Sequence, residues 1–380
     1  MTQPSVTEPF WTNATTAALL LGAAHALVDA GCGYLIFRDV GTCGFPYPAI
    51  VSLVVLYNVL AFGGQVPVGA LTDRLRAYRG LAAAGALTVA LAVVLGPHVT
   101  TAAVVVAGVG NAFFHVGAGG YVLKESGERS AESGVFVGPG AVGLCAGILL
   151  GLHRLPARWA LVGLLVAAAA LTPAVGRRIA RSVSPPALPP LPTNALVLAL
   201  IVGVCLLGSV TVRALVGGTV SGAWRGVSTV VIVALAIAAC GGKMLGGFIG
   251  DRLGWATTSI AALLLSAPLV SFLVRLPAGA VAGMLVFQMT MAITLKATHS
   301  LLPARPGLAF GIPPFALIVG ALPGLYGVKL LPSGGYVLAC VLGAAILVGL
   351  ALRLLASTGA SGGPSAERLR FLGAAKTKPA

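Results

Sequence analysis

Apolar stretches with few or no charged residues recur along the chain from Ala17 to Leu355. Each is longer than the run of about 18 residues that a helix needs to cross a bilayer. Only 9% of the residues are charged and 58% are hydrophobic, whereas a soluble domain is about one-quarter charged. Gly and Pro are frequent, and membrane-spanning helices tolerate both better than soluble helices do. The sequence therefore predicts an all-α polytopic membrane protein.

The apolar runs predict about twelve transmembrane helices in two sets of six. The first set covers residues 14–37, 47–71, 80–97, 99–123, 133–152 and 157–176. The second set covers residues 193–216, 226–249, 256–274, 277–299, 308–330 and 333–356. Polar and proline residues interrupt 277–299 and 308–330, so these two runs are the least regular.

One short sequence motif, the repeated word, occurs twice, each time between two apolar runs. The copies read GALTDRLR from Gly69 to Arg76 and GFIGDRLG from Gly247 to Gly254, so that Asp251 lies 178 residues after Asp73. A repeat of about half the chain at a junction between helices predicts two pseudo-symmetric six-helix bundles, which is a transporter architecture. The word therefore bears on function as well as on fold.

The repeat divides the chain into four predicted parts. Residues 1–176 form an N-terminal six-helix bundle and residues 193–356 a C-terminal one. Between them, residues 177–192 carry arginines followed by a proline-rich run, which is typical of a semi-rigid linker. Residues 357–380 are rich in Gly and Ser and are predicted to be a disordered tail.

The basic residues predict the orientation of the chain. Loops on one side, together with the linker and the tail, carry more Lys and Arg than the opposite loops. The positive-inside rule then places both termini and the linker in the cytoplasm, in a multi-pass protein of the cell membrane. The formal net charge of +15 reflects this bias. Because the basic residues are scattered over short loops, nucleic-acid binding is not expected.

Further features of the sequence bear on the first span, on metal and cofactor binding, and on the expected partners. The residues before Trp11 lack a basic n-region, so we expect the first span to remain as an anchor. The six cysteines show no metal-ligand spacing, and the sequence predicts no metal and no cofactor. A disulfide between Cys32 and Cys43 is left open. The expected partners are a small-molecule substrate, protons and the lipid bilayer, and the chain is expected to function as a monomer.

The repeated word resembles the loop signature of the major facilitator superfamily. The matching residues are Gly69, Asp73 and Arg74 after the second span and Gly247, Asp251 and Arg252 after the eighth. Arg76 stands where the first copy usually has glycine, whereas the second copy keeps Gly254. The glycines permit close helix approach, and each aspartate can accept hydrogen bonds from a helix N-terminus or pair with an arginine. We expect the two copies to latch the halves in one conformational state.

The fifth span carries a second resemblance, to the antiporter signature of the superfamily's exporters. The matching residues are Gly134, Gly138, Pro139 and Gly143. Small residues four apart permit tight packing, and the proline removes one helix hydrogen bond and bends the span. The resemblance implies export, while a general small-residue packing face remains the alternative.

Asp29 is the carboxylate that lies well inside a predicted span, and an acid within the membrane is a functional candidate because burying its charge is costly. His25 precedes it by one helical turn, and Asn111 and His115 repeat that spacing in the fourth span. These pairs resemble the first- and fourth-helix motifs of the fosmidomycin-resistance branch of the superfamily. Val116 and Gly117 follow His115 here, where that branch commonly has Pro-Glu.

Asp29 is therefore the predicted proton carrier, with His25 or His115 as its partner, since histidine titrates near neutral pH. The predicted substrate cavity contains Asn111, His115, Lys243 and Arg213. By charge alone, its basic residues favour an anionic or zwitterionic solute.

Other roles stay open for each of these residues. Asp29 could instead pair structurally with Lys243 or Arg213, and His115 could satisfy a backbone carbonyl. Lys243 could snorkel to the cytoplasmic surface, and Lys296 and His299 are expected at the membrane interface.

Three classes of function follow. The first is proton-coupled export of a small molecule by alternating access. The second is an uptake permease or symporter with the same fold. The third is a membrane-embedded enzyme, which is not expected because the sequence shows no zinc-ligand cluster, nucleophile elbow or phosphate loop.

Overall fold

The computed structural model describes residues 13–175 and 193–357, and within these ranges it contains helices and loops but no strand. The first six spans are Asn13–Arg38, Tyr47–Leu75, Tyr78–Leu95, Thr100–Glu125, Ala131–Leu152 and Arg158–Ala174. The second six are Thr193–Gly222, Thr229–Leu253, Trp255–Phe272, Pro277–Leu301, Pro306–Leu325 and Gly334–Ser357. Eleven of the described helices are long and apolar enough to cross a membrane, and Arg158–Ala174 is a shorter apolar helix. The all-α polytopic prediction is confirmed.

Each set of six spans surrounds its own hydrophobic core. The core of the first half includes Leu35, Phe114 and Phe136, and that of the second includes Leu206 and Phe287, all almost fully buried. Many large apolar side chains elsewhere on the helices are exposed. Such a surface is expected for helices that face lipid rather than water.

Glycines on the fifth span allow it to lie directly against the first. A Cβ atom added at Gly143 would lie 2.0 Å from the carbonyl oxygen of Ala26, and one at Gly147 would lie 2.1 Å from that of Ala30. Only glycine permits this approach of the two backbones. The first span, which carries Asp29, is thereby held in a fixed position against the fifth.

Two spans are interrupted within the membrane region. The second changes from α-helix to one π-turn at Val59–Gly63, and the tenth breaks at residues 288–289, between Pro277–Phe287 and Thr290–Leu301. Such interruptions are tolerated at membrane depth where the backbone is covered by protein or lines a cavity. The break in the tenth span refines the continuous run predicted over 277–299.

The structure differs from the predicted boundaries at the ends of four spans, of which the seventh continues to Gly222 rather than ending at residue 216. The repeated word is helical, because the second span continues to Leu75 and the eighth to Leu253, so both aspartates lie in the last turn of a helix rather than in a loop. The eleventh span ends at Leu325 rather than at residue 330, and Gly327 with φ 74° follows it. A glycine with positive φ is a common helix stop. The predicted linker and the tail beyond Ser357 lie outside the described residues.

Candidate functional site

Asp29 lies at the centre of a polar cluster that joins the first and fourth spans. Its Oδ2 atom is 3.1 Å from Nε2 of His25, and its Oδ1 atom is 3.6 Å from Nε2 of His115. Asn111 donates a hydrogen bond from Nδ2 to Asp29 Oδ1 at 3.2 Å. His25, His115 and Asn111 are buried. The structure therefore brings together the three residues predicted for proton coupling, with Asn111 beside them.

Backbone carbonyls fix the orientation of both imidazoles. Nδ1 of His25 is 2.9 Å from the carbonyl oxygen of Phe136, and Nδ1 of His115 is 2.9 Å from that of Asn111. A carbonyl oxygen only accepts, so each Nδ1 carries the hydrogen and each Nε2 faces the carboxylate. In a neutral ring that Nε2 is also an acceptor. The contact between His25 and Asp29 thus needs a proton or another cation between the two acceptors.

The cluster is compact. One potential ligand atom from each of His25, Asp29 and His115 lies within 4.8 Å of the others. Three such atoms can share a proton, or contact one divalent cation. This convergence was not visible as metal-ligand spacing in the sequence, because the residues come from two spans that meet only in the fold.

Two of the alternative roles can be compared with these contacts. Among the described residues, Asp29 makes its close charge contacts with His25 and His115, and neither Lys243 nor Arg213 lies within ion-pair distance of it. His115 does bond a backbone carbonyl through Nδ1, yet its other ring nitrogen points at Asp29. Cys32 and Cys43 are both free thiols, so they form no disulfide.

The glycine-rich segment of the fifth span packs against this cluster and against the opposite half. A Cβ atom at Gly140 would lie 2.4 Å from Nε2 of His25 and 2.7 Å from Oδ2 of Asp29. At Gly134 it would lie 2.4 Å from the carbonyl oxygen of Lys243 in the eighth span. The segment that resembles the antiporter signature therefore contacts the Asp29 cluster at Gly140 and the eighth span at Gly134, and at both positions its backbone lies close to the neighbour.

The second half contributes two cations to the protein interior. Arg213 of the seventh span is 4% exposed, and its Nη1 donates to Thr294 Oγ1 at 3.1 Å and Thr290 Oγ1 at 3.3 Å. Lys243 of the eighth span donates from Nζ to the carbonyl oxygen of Val137 at 3.3 Å, across the interface between the halves. Lys243 is close enough to Arg213 and Asp29 to interact electrostatically with both. It therefore points into the protein rather than toward the surface.

At the first junction, Asp73 caps the N-terminus of the eleventh span. Its Oδ1 accepts from the backbone N–H of Gly307 at 2.7 Å, and its Oδ2 accepts from that of Leu308 at 2.8 Å. Tyr78 donates its hydroxyl to Asp73 Oδ1 at 2.7 Å. A carboxylate at the positive end of a helix is stabilised by the unpaired N–H groups there. Gly69 permits the approach, since a Cβ would lie 2.5 Å from the Gly307 carbonyl oxygen.

At the second junction, Asp251 caps the N-terminus of the fifth span. It accepts from the backbone N–H groups of Ser130 and Ala131 at 2.8 and 2.9 Å, and from the Ser130 hydroxyl at 2.8 Å. Trp255 donates from Nε1 to Asp251 Oδ1 at 3.2 Å. Gly247 supplies the close approach, with a Cβ 2.8 Å from the backbone of Ala131. Both junctions therefore connect the two halves.

The residue after each junction helix has a positive φ. Arg76 has φ 53° and ψ 28°, in the left-handed region, and Gly254 has φ 95°. A non-glycine residue is strained in this conformation. Arg74 and Arg252, which belong to the repeated word, are both exposed.

One contact between the halves, made by Lys296, is not predicted by the sequence. Lys296 of the tenth span is 2% exposed, and its Nζ donates to the Leu123 carbonyl at 3.3 Å and to Ser126 Oγ at 3.2 Å. These acceptors lie at the C-terminus of the fourth span, where a cation is favoured. His299, also expected at the interface, has its Nδ1 3.2 Å from Lys296 Nζ.

No family model and no curated protein sequence matches the chain. Many solved structures are similar in fold, including two transporters. One is a major facilitator superfamily transporter, FucP, in the outward conformation, with a TM-score of 0.60 and 11% identity over 90% of this chain and 99% of that one. The other is the human organic anion transporter MFSD10 (TETRAN), with a TM-score of 0.62, 16% identity and the same two coverages. The chain has the major facilitator fold. The narrower resemblance to the fosmidomycin-resistance branch stays a prediction.

Proposed function

We propose that this chain is a secondary active transporter that moves a small molecule by alternating access and is driven by protons bound at Asp29, His25 and His115. One observation carries the proposal. Two imidazoles, each fixed by a backbone carbonyl, direct Nε2 at one carboxylate inside a membrane span. An acid within a membrane span is expensive to maintain and is typical of proton relays in transporters.

The proposed direction is export. The support is the resemblance of Gly134, Gly138, Pro139 and Gly143 to the antiporter signature, together with their position. Gly140, within the same segment, lies against His25 and Asp29, while Gly134 lies against Lys243. A change in the tilt of the fifth span would therefore alter the proton cluster and the interface with the eighth span together.

The experiment uses proteoliposomes loaded with a cell metabolite extract. Mass spectrometry identifies the solutes that leave the vesicles under an imposed pH gradient. For an antiporter, an acidic exterior should accelerate release of the cargo, whichever way the protein is inserted. Asp29→Asn should abolish the response to the gradient, and exchange of the cargo without net proton movement should continue.

Glu128→Gln is the matched control, because it neutralises an exposed loop carboxylate. Release that is indistinguishable from empty liposomes would contradict transport. Equal gradient-driven release by wild type and Asp29→Asn would contradict the role of Asp29 and leave it a structural residue.

Uptake by symport is the second candidate, and the cations of the second half favour it. A proton on the Asp29 cluster adds positive charge near Lys243, so that proton binding and anion binding would assist each other. The same vesicles distinguish the two candidates. In a symporter an acidic interior, rather than an acidic exterior, accelerates release of the cargo.

A further inference from the structure

Arg213 carries a buried positive charge that no described carboxylate neutralises. Its Nη1 is bonded to two threonine hydroxyls, but Nη2 is buried and has no hydrogen-bond partner among the described residues. Nor is either Arg213 or Lys243 within ion-pair distance of an acid in the part of the chain that the structure describes. An unpaired guanidinium in a low-dielectric interior is strongly unfavourable, so the site is incomplete without an anion.

The broken tenth span meets Arg213 at this point. Thr290 is the first residue of the segment Thr290–Leu301, and it accepts from Arg213 Nη1. Helix N-termini within the membrane carry partial positive charge, and in transporters with broken helices they face anionic groups of the substrate.

Glycines on the eighth span hold the break in place. A Cβ atom at Gly242 would lie 2.1 Å from the Leu285 carbonyl oxygen, and one at Gly246 would lie 1.9 Å from that of Met289. The two spans therefore touch through their backbones just before the break and at it. Lys243, on the same span, is bonded to Val137 in the first half. Lys243 thus lies at the interface between the halves and interacts electrostatically with both Arg213 and Asp29.

The charges near the centre do not balance. Lys243 and Arg213 contribute two positive charges, and Asp29, whose contact with His25 needs a shared proton, does not cancel both. A solute with an anionic group would reduce this excess of positive charge. The planar guanidinium suits such a group, since it can donate two parallel hydrogen bonds to a carboxylate, sulfonate or phosphate.

We infer that the transported solute is an organic anion whose acidic group is bound by Arg213 Nη2 at the break of the tenth span, with Lys243 adding electrostatic attraction. This inference rests on the proposed transport function and names its substrate class. It assigns Asp29 to the proton and Arg213 to the anion, so that substitutions at the two residues have different consequences.

The test measures thermal stabilisation of the purified full-length protein, because a ligand that binds only the folded state raises Tm with its concentration. The probes are benzoate, benzenesulfonate and phenyl phosphate, each compared with neutral benzamide. We expect at least one anionic probe to stabilise the wild type while benzamide does not. Arg213→Gln should weaken that binding at least tenfold, and Arg213→Lys should restore part of it.

Two controls separate this inference from the proposed function. Arg225→Gln, which removes an exposed loop arginine, should bind the anionic probe as the wild type does. Asp29→Asn removes a negative charge near Lys243, so it should bind the probe at least as tightly as the wild type while gradient-driven transport is lost. Without a probe, Arg213→Gln should melt no lower than the wild type, since it removes an unpaired buried charge.

Three outcomes would overturn the inference. The first is that none of the three anions stabilises the wild type, or that benzamide stabilises it equally. The second is that Arg213→Gln binds the anionic probe unchanged. The third is that Arg213→Gln and Arg213→Lys both melt far below the wild type without a probe, which would make Arg213 a structural residue.

Discussion

Asp73 and Asp251, 178 residues apart, make the same contact at the two junctions, where each carboxylate caps a span of the opposite half. At the same offset the centre of the molecule does not repeat. Asp29 corresponds to Leu207 and His115 to Ile293, while Arg213 corresponds to Leu35. The junctions are therefore alike in chemistry and the two centres are not.

The difference follows from what each region does. Two halves that are held together symmetrically need the same helix-capping contact at both junctions. A buried charge is costly, so a second copy of each ionisable group would destabilise the bundle without adding a function. The first half keeps the acid and the imidazoles, and the second half keeps the unpaired cations. We expect substitutions at the centre to change coupling and those at the junctions to change rate.

The largest effect is expected from Gly140→Ala. The added Cβ would lie 2.4 Å from His25 Nε2, so the imidazole must leave its position beside Asp29. Gradient-driven transport should fall as far as in Asp29→Asn, measured by release from proteoliposomes. Gly163→Ala is the matched control, because nothing lies within 4 Å of a Cβ there. A variant at Gly140 with normal gradient-driven transport would show that the fifth span is not coupled to the cluster.

The junctions should show a smaller effect that is unequal on the two sides. Asp73→Asn and Asp251→Asn remove charge-assisted hydrogen bonds worth about 1.5–3 kcal/mol each. Transport should slow by at least about tenfold, since about 1.4 kcal/mol changes an equilibrium tenfold, while equilibrium binding of the solute is nearly unchanged.

Asp251→Asn should have the larger effect, because the Ser130 hydroxyl adds a bond that Asp73 lacks. In a Ser130→Ala background, the effects of Asp73→Asn and Asp251→Asn on the transport rate should be more nearly equal. Normal transport by both aspartate variants would remove the latch role from the repeated word.

The smallest effect concerns the residue where the two copies differ. Arg76 is strained at φ 53°, and glycine there would relieve about 1 kcal/mol. Arg76→Gly should therefore raise Tm by a few degrees, whereas Gly254→Ala should lower it. The comparison is made by thermal unfolding of the purified protein. A lower Tm for Arg76→Gly would mean that its side chain stabilises the junction by more than its backbone strain costs.

Hydropathy and the repeat were sufficient to predict the spans, since crossing a bilayer fixes both length and composition. The one-turn spacing of His25 and Asp29 also predicted their shared face. The meeting of Asp29 with His115 depends on how the first and fourth spans pack, and one sequence does not show that packing. Lys296 illustrates the same limit. Its position near the end of a span predicted an interfacial residue, and the sequence does not show that the neighbouring half covers its side chain.

The segment Thr290–Leu301 carries contacts of two kinds on one rigid helix. Thr290 and Thr294 hold Arg213, and Lys296, six residues after Thr290, ties the segment to the end of the fourth span. A solute that moves this segment moves Lys296 with it. By thermodynamic linkage, a solute that binds better when the Lys296 bridge is open favours opening, and opening the bridge tightens its binding by the same factor. Binding of the solute at Arg213 would then change the contact between Lys296 and the end of the fourth span.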